Sequence, residues 1–134
     1  MFRLNGITCI TVLYWFFVSA TVLGQSRTYV DPSSTDGDGL PFSGAVMEGN
    51  TLYLSGMLGV IDGEVPSTPE EETRLIMEQF KATLAEADMT MNDLVSVTIY
   101  CSDVSHYAAF NSVYRTYFNG NFPARAFIGS GNLL

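Results

Sequence analysis

The fold is decided by residues 68–101, which read TPEEETRLIMEQFKATLAEADMTMNDLVSVTIYC. The first part predicts a helix, because Thr68 can cap it, Pro69 suits its first turn and Glu71 can complete a capping box. Its apolar residues recur at the spacing of one buried helical stripe. They are Ile76, Met77, Phe80, Leu84 and Ala87. The helix is expected to end just before Asp88, a residue that tolerates a left-handed turn.

The second part, Leu94–Cys101, alternates apolar and polar residues and therefore predicts a half-buried strand. Its inner face would hold Val95, Val97, Ile99 and Cys101. A second helix, capped by Asp103 or Ser105, is expected to end at Asn119–Asn121. Its inward residues would be Phe110, Val113, Tyr114, Tyr117 and Phe118. A last readable strand, Ala124–Ser130, follows.

Upstream of the first helix, the sequence predicts a hairpin. Ala45–Met47 and Thr51–Ser55 flank the turn signal Glu48-Gly49-Asn50. Gly56–Val60 is expected to extend the second strand, and Asp62-Gly63 marks another turn. The element order is β-β-α-β-α-β, with both helices available to one face of a sheet. This order predicts an α+β two-layer sandwich.

The first 24 residues have the pattern of a secretory signal peptide. Ile7–Leu23 contains no charged residue, and small residues close the segment before an expected cleavage after Gly24. An uncut membrane anchor and a buried helix are the alternatives, and the small residues and the absence of an amphipathic stripe favour the signal. The protein is therefore expected to be secreted or periplasmic, or cytoplasmic if the start is misassigned. Residues 25–39 have the composition of a flexible linker, and residues 40–134 form the expected domain.

Charge and composition exclude several function classes. After cleavage, five basic residues stand against fourteen acidic ones, a net charge of −9 that disfavours nucleic-acid binding. Cys101 would be the only cysteine left, so no intrachain disulfide is expected. His106 is the only histidine, so one subunit cannot build a His-rich metal site. Neither a metal nor a cofactor is expected, and no membrane association is expected after cleavage.

Arg125 is the residue that points to a binding site. It lies in the apolar stretch Phe122–Ile128, at the mouth of a predicted strand. A guanidinium placed against apolar walls requires an anionic partner, and its planar fork suits a carboxylate. The alternative is a surface arginine on an edge strand that reaches water. The acidic run Glu70–Glu72, in contrast, is explained by the helix N-terminus.

Several motifs, in this order and spacing, resemble the RidA (YjgF) family of deaminases. They are Leu40-Pro41-Phe42-Ser43, Leu54-Ser55-Gly56, the capped helix from Thr68, Asp93 to Tyr100, Phe110-Asn111-Ser112-Val113-Tyr114 and Phe122-Pro123-Ala124-Arg125. The resemblance implies a chorismate-mutase-like α+β subunit that assembles into a homotrimer with ligand clefts between subunits. It also implies hydrolysis of small 2-imino or enamino acids to 2-oxo acids and ammonia, without metal or cofactor. The expected partner is therefore a small carboxylate.

The same resemblance implies the site residues. The catalytic set would be Arg125, Ser55 and Asn111, with Arg125 holding the substrate carboxylate. The substrate-binding set would be Arg125, Phe42, Gly56 and Phe127. Phe42 lacks the hydroxyl that the best-known branch of the family carries there, and Phe127 replaces a smaller residue. Residues 129–132 predict a turn into a further strand, expected to carry a water-orienting glutamate of the family, which the sequence does not reach.

Two other functions remain open at this point. A trimer that binds small carboxylates without turning them over is suggested by the departures at Phe42 and Phe127. A purely structural or chaperone-like trimer is the second alternative, and it predicts that Arg125→Ala changes no ligand binding. The ribonuclease activity reported for the family is disfavoured by the net charge of −9.

Overall fold

The computed structural model describes residues 26–30 and 41–131. The predicted signal peptide and most of the predicted linker lie outside these residues. The described part of the chain forms five strands and two α-helices. It confirms the predicted α+β class and the predicted element order, to which it adds one strand at the N-terminal side.

Three strands form an antiparallel sheet. They are β1 (Thr28–Val30), β2 (Ala45–Glu48) and β3 (Thr51–Leu54), in the order β1-β2-β3. Gly49 closes the β2–β3 turn at a φ of 60°, which glycine adopts without steric cost. The predicted hairpin is therefore confirmed. The linker prediction is wrong for β1, because these three residues pair with β2.

The two faces of this sheet differ in their surroundings. One cross-strand row faces the core and contains Val30, Ala45 and Leu54. The opposite row contains Tyr29, Val46 and Tyr53. Both tyrosines are 63% exposed. An antiparallel sheet with one packed face ordinarily carries polar residues on its other face, so this aromatic row is unusual.

Helix α1 spans Pro69–Glu86 and confirms the predicted helix. Thr68 Oγ1 accepts a hydrogen bond from the Glu71 backbone N–H at 3.3 Å. The Glu71 carboxylate accepts from the Ser67 hydroxyl at 3.4 Å, so only one half of the predicted capping box forms. Asp88 has a φ of 56° directly after the C-cap, as predicted for a left-handed helix end.

The buried face of α1 contains the expected apolar residues and two threonines. Met77 and Leu84 are 2% and 1% exposed, while Thr73 and Thr83 are equally buried. Each threonine hydroxyl donates to the carbonyl oxygen four residues earlier, at 2.6 and 3.1 Å, so its burial leaves no unpaired polar atom. The other predicted stripe residues are half-buried: Ile76, Phe80 and Ala87.

The second half of the domain is a parallel strand pair joined through a helix. It consists of β4 (Ser96–Cys101), α2 (Tyr107–Tyr114) and β5 (Ala124–Gly129). A parallel pair requires a crossover connection, which α2 provides. Val95, predicted on the inner face of β4, is instead 82% exposed just outside the strand.

Of the two predicted cap residues, Asp103 acts as a cap and Ser105 only donates its backbone N–H to it, while His106 precedes α2 without a side-chain cap hydrogen bond. The Asp103 carboxylate accepts from the Ser105 backbone N–H at 2.8 Å and caps a short 3₁₀ turn that leads into the helix. This hydrogen bond lowers the pKa of Asp103.

Of the residues predicted to face inward, Phe110, Val113, Tyr114 and Phe118 are buried, and Tyr117 is half-buried. The predicted helix end at Asn119–Asn121 is wrong, because α2 ends at Tyr114 and only a 3₁₀ turn, Arg115–Tyr117, follows.

The helices cover both sheets and share one core with them. Side chains from both sheets pack against the buried residues of α1 and α2: Leu52 and Leu54 of β3, Val97 and Ile99 of β4, and Phe127 of β5. Within the described residues, β3 and β4 do not pair, so the single sheet expected from the sequence is two sheets, of three and two strands.

The predicted extension of β3 through Gly56–Val60 is wrong, since β3 ends at Leu54. Gln79 Nε2 of α1 donates to the Leu58 carbonyl oxygen at 3.0 Å. Gly59 lies so close to the Glu72 backbone that a Cβ would collide with it. The segment therefore packs along α1, whereas the following turn at Asp62-Gly63 forms as predicted.

Candidate functional site

Strand β5 directs Arg125 toward the helices. The side chains of β5 alternate in burial, so Arg125 and Phe127 share the half-buried face. Arg125 lies opposite Val97 in the parallel pair, and Phe127 lies opposite Ile99. The period of two in a strand thus places the guanidinium on the core side, beside α2.

Two polar groups of α2 hold the Arg125 guanidinium. Asn111 Oδ1 accepts a hydrogen bond from Nη1 at 2.7 Å, and the Tyr107 hydroxyl accepts a longer one from Nη2 at 3.4 Å. A guanidinium has five N–H donors. The predicted pair Arg125 and Asn111 is therefore joined directly, and donors remain for a ligand.

Aromatic rings surround the same guanidinium. Its Cζ lies 4.8 Å from the centroid of the Tyr114 ring, 5.7 Å from that of Tyr107 and 5.8 Å from that of Phe110. Ring faces attract cations, and the attraction increases when water is excluded. The rings restrict the orientation of Arg125 without neutralising its charge.

Tyr114 forms the floor beneath the guanidinium. The residue is 3% exposed, and its hydroxyl is buried without a hydrogen-bond partner in the described part of the chain. Burial raises the pKa of this phenol, and the positive charge of Arg125 partly opposes the rise. The phenol therefore stays neutral beside the arginine. Its ring makes a cation–π contact with the guanidinium and leaves the positive charge without an anionic partner.

The guanidinium opens into a cavity of about 310 Å³. Its lining residues are Tyr107, Asn111, Tyr114, Arg115, Phe122, Pro123 and Arg125. This lining contains two arginines and no carboxylate. Among the described residues, salt bridges join Arg27 to Glu48 and Lys81 to Glu78, and none involves Arg125. The cavity therefore combines apolar walls with an uncompensated positive charge, which is the chemistry of an anion site.

The other residues predicted for the site lie outside this lining within one subunit. The Ser55 hydroxyl donates to the Ser43 carbonyl oxygen at 2.6 Å. Phe42 is 52% exposed, and Gly56 has open space around its Cα. Phe127 packs edge-on against Tyr107, with ring centroids 5.0 Å apart, and so supports the aromatic wall from behind.

Tyr107 and Tyr114 are site residues that the sequence did not assign. Tyr107, Asn111 and Tyr114 stand at positions i, i+4 and i+7 of α2, which places them on one helical face. This spacing is the signal that could have found them, once Asn111 was chosen. Tyr114 had been assigned to the core alone, and it belongs to both the core and the site.

A second and larger cavity of about 500 Å³ lies at the N-terminal end of α1. Its lining residues are Ile61, Glu64, Val65, Pro66, Glu71, Arg74 and Leu75. Arg74 here is exposed and shares the cavity with two carboxylates. Carboxylates therefore line the cavity of Arg74, whereas none lines that of Arg125.

Two further features bear on function. No cluster of three or more His, Cys, Asp or Glu side chains in residues 26–30 and 41–131 could hold a metal ion. No helix in the same ranges is long and apolar enough to cross a membrane. His106 ends the 3₁₀ turn before α2 and does not line the Arg125 cavity.

The fold and the site define a small α+β domain that presents an arginine, enclosed by aromatic rings, to an open cavity. The chain belongs to the RidA (YjgF) family, because the family model described as Endoribonuclease L-PSP matches residues 38–134. The chain is 35% identical over 96 residues to the mitochondrial protein mmf2 of Schizosaccharomyces pombe, an alignment that covers 71% of this chain and 76% of mmf2. The family predicted from the motifs is therefore confirmed.

Other comparisons agree. The chain is 34% identical over 96 residues to a 2-iminobutanoate/2-iminopropanoate deaminase of Dermatophagoides farinae, covering 69% of this chain and 75% of that protein. RidA from the Antarctic bacterium Psychrobacter sp. matches with a TM-score of 0.66 and 28% identity, covering 82% of this chain and 87% of that one. Yeast Mmf1 matches with a TM-score of 0.67 and 25% identity, covering 81% and 88%. The chorismate-mutase-like fold of these relatives is the fold of this chain.

Proposed function

We propose that this protein hydrolyses small 2-imino acids to 2-oxo acids and ammonia. The observation that carries the proposal is the Arg125 guanidinium, half-buried among aromatic rings and bonded to Asn111, with no carboxylate partner in the described part of the chain. Such a group binds a carboxylate strongly because the guanidinium is weakly hydrated and its planar fork can form two charge-assisted hydrogen bonds.

The reaction needs little beyond this positioning. The water oxygen adds to C2 of the imine, the C=N electron pair moves to nitrogen, and the proton of the water passes to the same nitrogen. The hydroxyl proton of the adduct then passes to the nitrogen, the C–N bond breaks as the C=O bond forms, and ammonia leaves. Because the imine carbon is already electrophilic, holding the substrate by its carboxylate beside a water supplies much of the rate increase.

The relatives support the choice of substrate. The proteins from Dermatophagoides farinae and mouse that are 34% and 33% identical to this chain are named 2-iminobutanoate/2-iminopropanoate deaminases. In both named substrates the imine carbon joins the carboxylate to a short aliphatic group. A cavity of about 310 Å³ with aromatic walls is large enough for such molecules.

The family description also names an endoribonuclease. We do not propose RNA cleavage, because the predicted mature chain carries a net charge of −9 and repels a phosphate backbone. The cavity lining holds no histidine or carboxylate that could activate a ribose hydroxyl.

A homotrimer is part of the proposal. The sheet faces opposite the helices expose an aromatic and aliphatic surface, formed by Tyr29 and Tyr53 on one sheet and by the cross-strand pair Tyr100 and Ile128 on the other. Large exposed apolar faces mark contacts with other chains. In the proposed trimer these faces meet, and Ser55, Gly56 and Phe42 border the Arg125 cavity of a neighbouring subunit.

The test is an assay of ammonia release. Purified protein is added to a 2-imino acid generated in situ by an amino-acid oxidase, and 2-oxobutanoate and ammonia are measured against an Arg125→Ala variant. Acceleration by the native protein, lost in the variant, is the expected result. Equal rates with and without native protein would contradict the proposal. Analytical ultracentrifugation of the same sample gives the subunit number.

A non-catalytic carboxylate-binding trimer is the second candidate. It is favoured because the cavity lining contains no carboxylate or imidazole to activate water, and the Ser55 hydroxyl is bonded to Ser43. Calorimetry with 2-oxobutanoate distinguishes the two candidates. Binding that disappears in Arg125→Ala, without ammonia release by the native protein, supports this second function.

Export of the protein also stands as a proposal, supported by the charge-free run Ile7–Leu23 and the small residues that close the segment. Mass spectrometry of the protein expressed in its own cells is expected to give an N-terminus at Gln25. An intact N-terminal segment would contradict the proposed cleavage.

A further inference from the structure

The phenolic hydroxyl of Tyr107 differs from the Tyr114 hydroxyl and from the Asn111 amide oxygen, its neighbours around Arg125. Tyr107 begins α2, is 49% exposed and lines the cavity. Its oxygen accepts from Arg125 Nη2 at 3.4 Å. Because the oxygen accepts there, its own proton is directed elsewhere, and no hydrogen bond in the described part of the chain uses that proton.

The hydroxyl of Tyr114, the other phenol beside Arg125, cannot donate a hydrogen bond to a ligand. The Tyr114 hydroxyl has almost no exposed surface, although it also lacks a partner. A ligand in the cavity therefore meets only the face and edge of the Tyr114 ring. Asn111, in turn, uses its amide oxygen to hold Arg125 Nη1 at 2.7 Å. The hydroxyl that a ligand can reach is the one on Tyr107.

Two contacts restrain the ring that carries this hydroxyl. It packs edge-on against Phe127, with centroids 5.0 Å apart and planes at 87°. The guanidinium carbon of Arg125 lies 5.7 Å from its centroid. These two contacts restrain the hydroxyl beside the guanidinium, as is required of a group that discriminates between ligands.

We infer that Tyr107 is a specificity-determining residue, which donates its phenolic proton to the atom on C2 of a small acid whose carboxylate is bound by Arg125. The recognised class is a 2-oxo or 2-imino acid, because its C2 oxygen or neutral imine nitrogen accepts a hydrogen bond. A plain alkanoic acid has no acceptor on C2 and is bound through its carboxylate alone. The inference rests on the proposed function, since it requires Arg125 to bind the carboxylate.

The test compares two ligands that differ only at C2, 2-oxobutanoate and butanoate. Their dissociation constants are measured by calorimetry or ligand-observed NMR on the native protein and on Tyr107→Phe. The variant is expected to bind 2-oxobutanoate about fivefold more weakly, the loss typical of one neutral hydrogen bond. Butanoate binding is expected to stay within about twofold, so the preference between the two ligands falls.

Tyr117→Phe is the matched control. It removes a phenolic hydroxyl that bonds the Glu78 carboxylate at 2.8 Å and does not line the Arg125 cavity. This variant is expected to keep the native preference. It also reports any general effect of losing a phenolic hydroxyl near α2, because Tyr117 lies in the 3₁₀ turn that follows this helix.

The outcomes separate the inference from the proposed function. A native preference for 2-oxobutanoate that persists in Tyr107→Phe overturns the inference and leaves carboxylate binding by Arg125 intact. An equal loss for both ligands also overturns it, because it assigns Tyr107 only to the support of Arg125. Native protein that binds neither ligand overturns both the inference and the proposed function.

Discussion

Two cavities in the described part of the chain are lined by arginine, and they differ in what surrounds the guanidinium. Arg125 opens into about 310 Å³, stands 4.8 Å from the Tyr114 ring centroid and bonds to a neutral amide. Arg74 opens into about 500 Å³, is exposed and shares its cavity with Glu64 and Glu71. The larger cavity is the less suitable anion site.

The difference lies in orientation and charge balance. An exposed arginine side chain samples many rotamers, and its attraction to an anion is screened by water and salt. Nearby carboxylates compete with any acidic ligand. Arg125, in contrast, is restricted by rings and by Asn111. A binding site is therefore defined here by how a charge is held, and cavity volume is a poor guide.

The largest expected effect tests this contrast directly. Arg125→Ala should weaken the binding of 2-oxobutanoate by about 100-fold, because a partly desolvated charge pair with two hydrogen bonds is lost. Arg74→Ala, the matched change in the other cavity, should alter binding by less than about twofold. Calorimetry on both variants measures the difference. Similar losses in both variants would remove the distinction between the cavities.

A charge placed beside Arg125 should make its cavity resemble that of Arg74. Asn111→Asp keeps the side-chain shape and puts a carboxylate where the amide oxygen now accepts at 2.7 Å. The internal carboxylate then competes with the ligand, and affinity for 2-oxobutanoate should fall about tenfold. Asn92→Asp, at an exposed position, controls for the added negative charge. Unchanged affinity in Asn111→Asp would show that the ligand binds away from Arg125.

The parts of the fold that the sequence predicted well depend on local signals. Thr68 caps α1 through the amide three residues on, and Asp88 ends it with a positive φ. Both effects act within a few residues, so the sequence contains them. The alternation in β4 is also a local signal. From Val97 onward, the residues that it predicted to face inward are half-buried.

The parts that were missed depend on contacts distant in sequence. Strand β1 has three residues and exists through pairing with β2, so its own composition resembles a linker. Gly56–Val60 has strand-like composition, but Gln79 of α1 binds its Leu58 carbonyl. These outcomes are set by tertiary partners, which override propensity.

The candidate site divides in the same way. Arg125 and Asn111 were predicted from motifs, and the structure brings them to 2.7 Å. Tyr107 was not predicted, because only its spacing of four residues from Asn111 on α2 marks it, and that spacing gains meaning once Asn111 is placed in the site. Ser55, Gly56 and Phe42 lie outside the cavity of one subunit, so their assignment stays a prediction that depends on the proposed trimer.

The buried phenol under Arg125 provides a smaller effect that depends on pH. Burial raises the pKa of Tyr114 in the folded state above that of the unfolded chain, which is about 10. Burial of the neutral phenol contributes fully to the free energy of unfolding below that pH. This contribution is lost as the pH rises through the pKa of Tyr114 in the folded protein. Tyr114→Phe keeps the ring and lacks this loss, so its stability relative to native protein should rise between pH 8 and pH 11. Urea unfolding of both proteins at pH 8 and pH 11 measures the change. An equal difference in the free energy of unfolding at the two pH values would contradict it.

The smallest effect on the Arg125 cavity is expected from a change at the other one. Thr68→Ala removes the acceptor for the Glu71 N–H at the start of α1, the helix end that lines the Arg74 cavity. The loss of a helix cap should lower the free energy of unfolding by about 1 kcal/mol. Because α2 and β5 build the Arg125 cavity, the affinity for 2-oxobutanoate should stay within about twofold of native. Urea unfolding and calorimetry on one preparation test both parts. A large loss of affinity at unchanged fold would mean that the two ends of the domain are coupled, and that the guanidinium of Arg125 is held by more than its immediate neighbours.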